Sequence, residues 1–167
     1  MRLLLVARRF IDKSVWRVIW TLLRRLGFAR PRERAATVPV RVRDGRVEVL
    51  LIESSKKPGS FVFPGGGVDA GETTEIAAAR ELLEEAGVSG ASCTRLGEFV
   101  DDASLTRTAV FLVRVDAVHD TWLESSLLGR RREWFALDAL EHALSTKGIH
   151  RRALALLQAQ HLTPTSF

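Results

Sequence analysis

The chain of 167 residues contains no tyrosine, one cysteine, one methionine and five prolines. A lone cysteine, Cys93, excludes an internal disulfide framework and fits a reducing compartment. Its context reads as that of a small residue buried in a strand. No Cys/His cluster offers a zinc site. No run reaches the ~18 apolar residues that a membrane span requires, and Arg17 interrupts the best candidate. Leu3 to Ala7 is too short for the apolar region of a secretory signal. Few aromatic rings are available for base stacking, so no specific nucleic-acid partner is expected. What is present is a chain 46% apolar, long enough for one domain with a proper core.

Charge is unevenly placed. Residues 1–35 hold ten Arg or Lys against two acids, whereas the whole chain is only +5, so the remainder is net acidic. Val15, Trp16, Val18, Ile19, Trp20, Leu22, Leu23 and Leu26 would cover one side of a helix, and Lys13, Arg17, Thr21, Arg24 and Arg25 the other. Three readings of this basic amphipathic extension stand side by side. It resembles a mitochondrial presequence, it suits a helix lying on an anionic membrane, and it could pack on this domain or a partner. Phe28 to Arg34, with Pro31, reads as a linker, which places the boundary between residues 1–35 and a second unit at 36–167.

Beyond it the pattern turns to strands. Val38, Val40 and Val42 alternate with Pro39, Arg41 and Arg43, Asp44-Gly45 is a hairpin signal, and Val47 to Ile52 is the return strand. Ser54 to Ser60 is a polar loop before a short strand at Phe61 to Phe63. Thr94 to Val100, Thr108 to Val115 and Glu133 to Ala136 read as strands, and Asp138 to Leu144 and His150 to Gln158 as helices.

The segment Gly66 to Val88 carries the chemistry. Glu72, Arg80, Glu81, Glu84, Glu85 and Gly87 stand at fixed offsets from Gly66. A helix starting near Thr73 puts Glu81, Glu84 and Glu85 on one face and Ile76, Ala79, Leu82, Leu83 and Ala86 on the other, where a core would take them. Three adjacent carboxylates repel one another unless a cation sits among them. Hard divalent ions such as Mg2+ take oxygen ligands, bridge diphosphate oxygens and activate water. Arg80 lies one turn before Glu84 and could orient it. Gly65, Gly66 and Gly67 allow close approach of backbone to a ligand. An ordinary solvated helix face is the alternative for the carboxylates alone, but it leaves the glycines, Glu72 and Arg80 unexplained.

The spacing G-x5-E-x7-R-E-U-x-E-E-x-G-U, with U a bulky aliphatic residue, is that of the Nudix box, and the chain resembles the Nudix hydrolases. The resemblance implies an α/β fold, an α/β/α sandwich with a mixed sheet, and cleavage of a diphosphate bond with Mg2+ or Mn2+. It implies metal ligation by Glu81, Glu85 and the Gly65 carbonyl, with Glu84 as general base or a further ligand and Glu72 holding the loop. Val49 to Pro58, Phe63 to Gly67, Asp120-Thr121-Trp122, Gly129 to Phe135 and Thr146 to His150 resemble segments of the diphosphoinositol polyphosphate phosphohydrolases. By position, that likeness assigns substrate contacts to Ser55, Lys56, Gly65, Gly66, Gly67, Arg107, Arg130 and Lys147. Lysine at Lys56 departs from an arginine there, and Ser104-Leu105 stands near where those relatives have a basic pair. The implied substrate is a multiply phosphorylated small molecule, a diphosphoinositol polyphosphate or a diadenosine polyphosphate. A nucleoside polyphosphate or capped RNA, and a scaffold role in a larger, mitochondrial assembly, are the alternatives. Among the outer residues, Arg131 and Arg132 also read as surface charges, Arg132 as a partner of Glu133, Trp134 and Phe135 as core, and Lys147 as a helix-boundary residue.

Overall fold

The computed structural model describes residues 30–160, apart from 103 and 145–147, together with Val15, Val18, Leu22 and Thr163. Val15, Val18 and Leu22 are helical and half or more exposed. The rest of the reading of the N-terminal extension lies outside the described residues, as does Lys147.

The long strand β1 (Arg32–Arg43) organises the sheet. Its C-terminal part pairs antiparallel with β2 (Arg46–Glu53) through a tight turn in which Asp44 and Gly45 take φ of 50° and 69°. Both positive angles suit a two-residue hairpin turn whose twist matches its strands. On its other edge β1 runs parallel to β7 (Thr106–Arg114), which pairs antiparallel with β6 (Ser92–Asp101). β3 (Phe61–Val62) and β9 (Arg132–Ala136) both pair with β2. The N-terminal part of β1 also pairs with the glycine strand β4 (Gly65–Gly67). The sheet is therefore mixed. β5 (Val88–Ser89) and β8 (Ala117–Val118) form a separate small ribbon.

Alternation along the strands supplies two cores. Val38, Val40, Val49, Leu51 and Val110 face one side, where α3 (Leu140–Ala143) and α4 (Gly148–Gln158) bring Leu140, Ala153, Leu154 and Leu157. Leu50, Ile52, Ala109, Phe111 and Val113 face the other, under Ala77, Ala78, Leu82 and Ala86 of α1 (Thr74–Ala86). Both faces are covered, so central strands read as near-continuous apolar runs. The result is an α/β/α sandwich.

Three local expectations change. Residues 32–34, expected in a linker, are already strand, so the domain starts near Pro31. Ile76, Ala79 and Leu83, expected in the core, are exposed, and the buried face of α1 is Ala77, Ala78, Leu82 and Ala86. Small alanines let the helix lie close on the sheet, and Ile76 and Leu83 point away. Cys93 lies in β6 but is exposed. β4, β5, β8 and the short helix α2 (Leu123–Leu128) are too short to leave a periodic signal.

Candidate functional site

The centre of the site is where β4 meets α1. Thr73 caps α1, accepting a bond from the Ile76 N–H at 3.3 Å, and Gly87 ends it at φ 61°. β4 is held to the sheet at Thr37, whose N–H donates to the Pro64 carbonyl at 2.9 Å. Two glycines are needed there for space. A Cβ on Gly65 would lie 2.7 Å from the Ala36 Cα, and one on Gly66 would fall on the Glu81 carboxylate.

Arg80 binds the loop to the helix. It donates to Glu72 through Nε at 2.8 Å and Nη2 at 3.0 Å, to the Gly67 carbonyl at 3.0 Å and to Glu81 at 2.9 Å. Its contact with Glu84 is longer, 3.4 Å, so Glu72 and Gly67, rather than Glu84, are what Arg80 chiefly orients. Glu72 also accepts from the Asp69 N–H at 3.0 Å. The Arg80 bonds, then the Asp69 N–H, hold its carboxyl at a pKa of about 2.

Glu85 is handled differently. Expected on the solvent side, its side chain is only 14% exposed, because this face of the helix turns toward β4 and Arg130. One carboxylate oxygen accepts from the Gly65 N–H at 2.6 Å, and the other from Arg130 Nη1 at 2.6 Å. Burial raises its pKa, against the pull of Gly65 and Arg130. Arg130, 9% exposed, also lies 2.8 Å through Nε from Glu124 on α2. That approach lacks hydrogen-bond geometry, so Glu124 Oε2 is buried with a charge beside it and no hydrogen bond. Burial raises the Glu124 pKa; Arg130 opposes this, and the charges of Glu81 and Glu84 add to it.

The neighbouring arginines are not idle surface charges. Arg131 pairs with Glu53 at 2.9 Å. Arg132, expected to pair with Glu133, instead donates to the carbonyls of Ala86 at 2.6 Å and Gly87 at 2.9 Å, and so satisfies the end of α1. Its guanidinium stacks 4.1 Å from the Trp122 ring, and Trp122 Nε1 donates to the Glu85 carbonyl at 3.0 Å. Trp134 and Phe135 pack against the two cores, Phe135 edge-on to Phe61 at 5.0 Å.

A cavity of about 660 Å³ opens beside this centre. Glu85, Gly65, Arg130, Ser55 and Lys56 line it. Gly66 and Gly67 do not line it; they position Glu81 and receive Arg80. Arg107 lies outside the cavity, 3.8 Å from Glu33 and 4.0 Å from Glu98. Sequence reasoning missed Glu124, Arg34, His150 and Arg152. Arg34 fell in the expected linker, and Arg152 sits on the exposed side of a helix. Glu124 belongs to a six-residue helix whose place beside α1 no local pattern announces.

The donor set fits a hard divalent cation. Six carboxylates, those of Asp69, Glu72, Glu81, Glu84, Glu85 and Glu124, share two guanidiniums, Arg80 and Arg130. The buried Glu124 oxygen has no hydrogen bond. Among the described residues no three acidic, His or Cys side chains close a cage. An open site of this kind is what Mg2+ uses when waters and substrate phosphates complete its shell. Glu81, Glu85 and the Gly65 carbonyl are the oxygens such an ion would take.

Comparison with known proteins agrees with this architecture. The NUDIX domain family model matches residues 31–157. The chain belongs to the NUDIX family. Diphosphoinositol polyphosphate phosphohydrolase 2 of Rattus norvegicus is 40% identical over 112 residues, 66% of this chain and 63% of that protein, so the match spans under two thirds of its length. The MutT NUDIX hydrolase from Burkholderia pseudomallei superposes with a TM-score of 0.55 at 31% identity, over 77% of this chain and 99% of that one. The NUDIX domain of Shewanella oneidensis NrtR, solved with ADP ribose, superposes with a TM-score of 0.66 over 82% of this chain and 92% of that one; its 17% identity shows the fold alone.

Proposed function

We propose that this protein is a pyrophosphohydrolase, cleaving phosphoanhydride bonds in a small molecule that carries several phosphates, with diphosphoinositol polyphosphates and diadenosine polyphosphates as the substrate classes and Mg2+ or Mn2+ as cofactor. The observation that carries this is the joining of two environments in one cavity. Glu85, Gly65 and Arg130 line it from the carboxylate centre, and Arg34, Lys56 and Arg152, none with a carboxylate partner among the described residues, line its walls.

Glu81, Glu85 and the Gly65 carbonyl would hold the metal, which supplies charge stabilisation at the diphosphate oxygens. Glu84, 38% exposed and only loosely tied to Arg80, is the carboxylate free to accept a proton. Water attacks one phosphorus, its proton passes to Glu84, and the bridging P–O bond breaks with its electron pair leaving on the departing phosphate. Gly65 N–H and Arg130 hold Glu85 still, and Arg80 holds the glycine strand against the helix. Among the described residues a nucleoside base would find Phe63, Phe99 and His150 as ring walls. Turnover of a panel of diphosphoinositol polyphosphates, diadenosine polyphosphates and nucleoside triphosphates, with Mg2+, Mn2+ or chelator, tests the reading. Metal-dependent release from the first two is expected; release from none, or from nucleoside triphosphates alone, overturns it.

The basic extension acts as an anchor or address, on an anionic membrane, in mitochondrial import or in a protein assembly, and not as part of the catalyst. Deleting residues 1–29 leaves β1 whole. We expect unchanged hydrolysis and loss of binding to vesicles containing anionic lipid; loss of hydrolysis or of folding would show that the extension belongs to the domain.

A further inference from the structure

Arg152 is held in place without being neutralised. It projects from α4, where Nη1 donates to the Val100 carbonyl at 3.0 Å and the guanidinium carbon lies 5.4 Å from the Phe99 ring. A guanidinium has five N–H donors in a rigid fork, and among the described residues this single bond is the only one Arg152 makes. It has no carboxylate partner there, whereas Arg80, Arg107, Arg130 and Arg131 all do. Its remaining donors therefore have a fixed base and no acceptor among the described residues.

The surroundings say what the acceptor is. Arg152 lines the cavity together with Arg34 from β1 and Lys56 from the loop after β2. Three cations from three elements, none with a carboxylate partner among the described residues, converge on a space also lined by Arg130, Glu85 and Asp101, in a unit that is net acidic beyond residue 35. Gathering like charges is unfavourable unless an anion joins them. Asp101 lines the same cavity, but one of its oxygens accepts from Ser104 Oγ at 2.7 Å. The carboxylate centre does not include Arg152, and the residues it touches, Phe99 and Val100, belong to β6.

We propose that Arg152 is a specificity-determining residue that binds a phosphate of the substrate other than the pair being cleaved. This rests on the phosphoanhydride reading above and adds a requirement to it: good substrates carry at least one further phosphate group, which the Arg152 fork takes in a bidentate contact. Arg107, which sits between two carboxylates outside the cavity, does not fill that role.

Calorimetric binding of inositol hexakisphosphate to the full chain, in chelator, separates the two ideas, because this probe has many phosphates and no phosphoanhydride bond. Arg152→Ala is expected to weaken binding by about ten-fold or more, the worth of one charge-assisted contact, and Arg152→Lys by less. Arg151→Ala, exposed on the same helix and outside the cavity, changes binding less than about two-fold. Melting curves accompany each variant, and if Arg152→Ala fails to fold, Arg152→Lys against Arg151→Ala decides. Wild-type affinity in Arg152→Ala, equal losses in both alanine variants, or no binding by the wild type overturns the proposal. Arg152-dependent binding in a protein that hydrolyses no diphosphate upholds this subsite and overturns the catalytic reading. In turnover, Arg152→Ala raises KM for the multiply phosphorylated substrates and leaves kcat near wild type.

Discussion

Arg80 and Arg130 each hold carboxylates of the same helix, and they do so in opposite ways. Arg80, 27% exposed, is met by Glu72, Glu81 and the Gly67 carbonyl, with Glu84 farther off. Its principal partner is firmly ionised, with a pKa near 2. Arg130 is 9% exposed and stands between Glu85 and Glu124, two carboxylates whose pKa values burial pushes up. The first cluster is satisfied and builds the loop–helix junction. The second leaves a buried Glu124 oxygen without a hydrogen bond. The comparison teaches that identical ion-pair chemistry builds a satisfied junction where a backbone acceptor completes it, and leaves an oxygen without a hydrogen bond where the guanidinium is buried between two carboxylates.

The largest effects should come from the carboxylates assigned the metal and the proton. Glu85→Gln is expected to lower hydrolysis by about two to three orders of magnitude, with a chelator melting temperature equal to or above wild type and no rise on adding Mg2+. Glu84→Gln should lose turnover similarly yet keep the Mg2+-dependent rise in melting, because its carboxylate is assigned the proton and not the metal. Wild-type turnover in both variants would remove the catalytic assignment. Gly66→Ala probes the other cluster through Glu81, whose carboxylate occupies the space of the new Cβ. Displacing it by about an ångström should cost turnover about a hundred-fold, read by steady-state kinetics beside circular dichroism that reports an intact fold.

Stability then separates the two arginines directly. Arg130→Ala leaves Glu85 and Glu124 buried without their cation and should cost roughly 3 kcal/mol in urea unfolding with chelator present. Arg80 is 27% exposed against 9% for Arg130, so its ion pairs are better screened and Arg80→Ala should cost less, about 1 kcal/mol. Equal losses would break the comparison. The smallest effect is in acid. The Glu72 pKa is lowered from 4.5 to about 2, so its contribution is fully present above pH 4.5 and is lost as pH falls toward 2. Glu72→Gln should flatten part of the wild-type decline in that window. An unchanged profile would show that Glu72 is not held ionised by Arg80.

Much of this was readable from local pattern. Val47 to Ile52, the Asp44-Gly45 turn and the Thr73 cap declare themselves because strand alternation, positive-φ turns and caps depend on neighbours in sequence. The spacing of Glu81, Glu84 and Glu85 is equally local, since one helix fixes it. The apolar face of α1 was misread because a helix carrying alanine on one side and leucine and isoleucine on others has no single hydrophobic stripe; contact with the sheet selected Ala77 and Ala78. Likewise, Arg32 to Arg34 looked like a linker because charge is frequent in linkers, and only pairing with β4 and β7 makes them strand.

The amino-acid sequence by itself determined the elements, the box and the family, because these rest on spacings of a few residues. The tertiary structure alone decided which cations face the cavity. Arg107 and Arg152 are both plain arginines in sequence. One lies between Glu33 and Glu98 outside the cavity; the other, brought over Phe99 by the packing of α4, has no carboxylate partner among the described residues and lines the cavity. That choice depends on which carboxylates lie within a few ångströms, and electrostatic interaction acts through distance in space, which the order of residues along the chain does not specify.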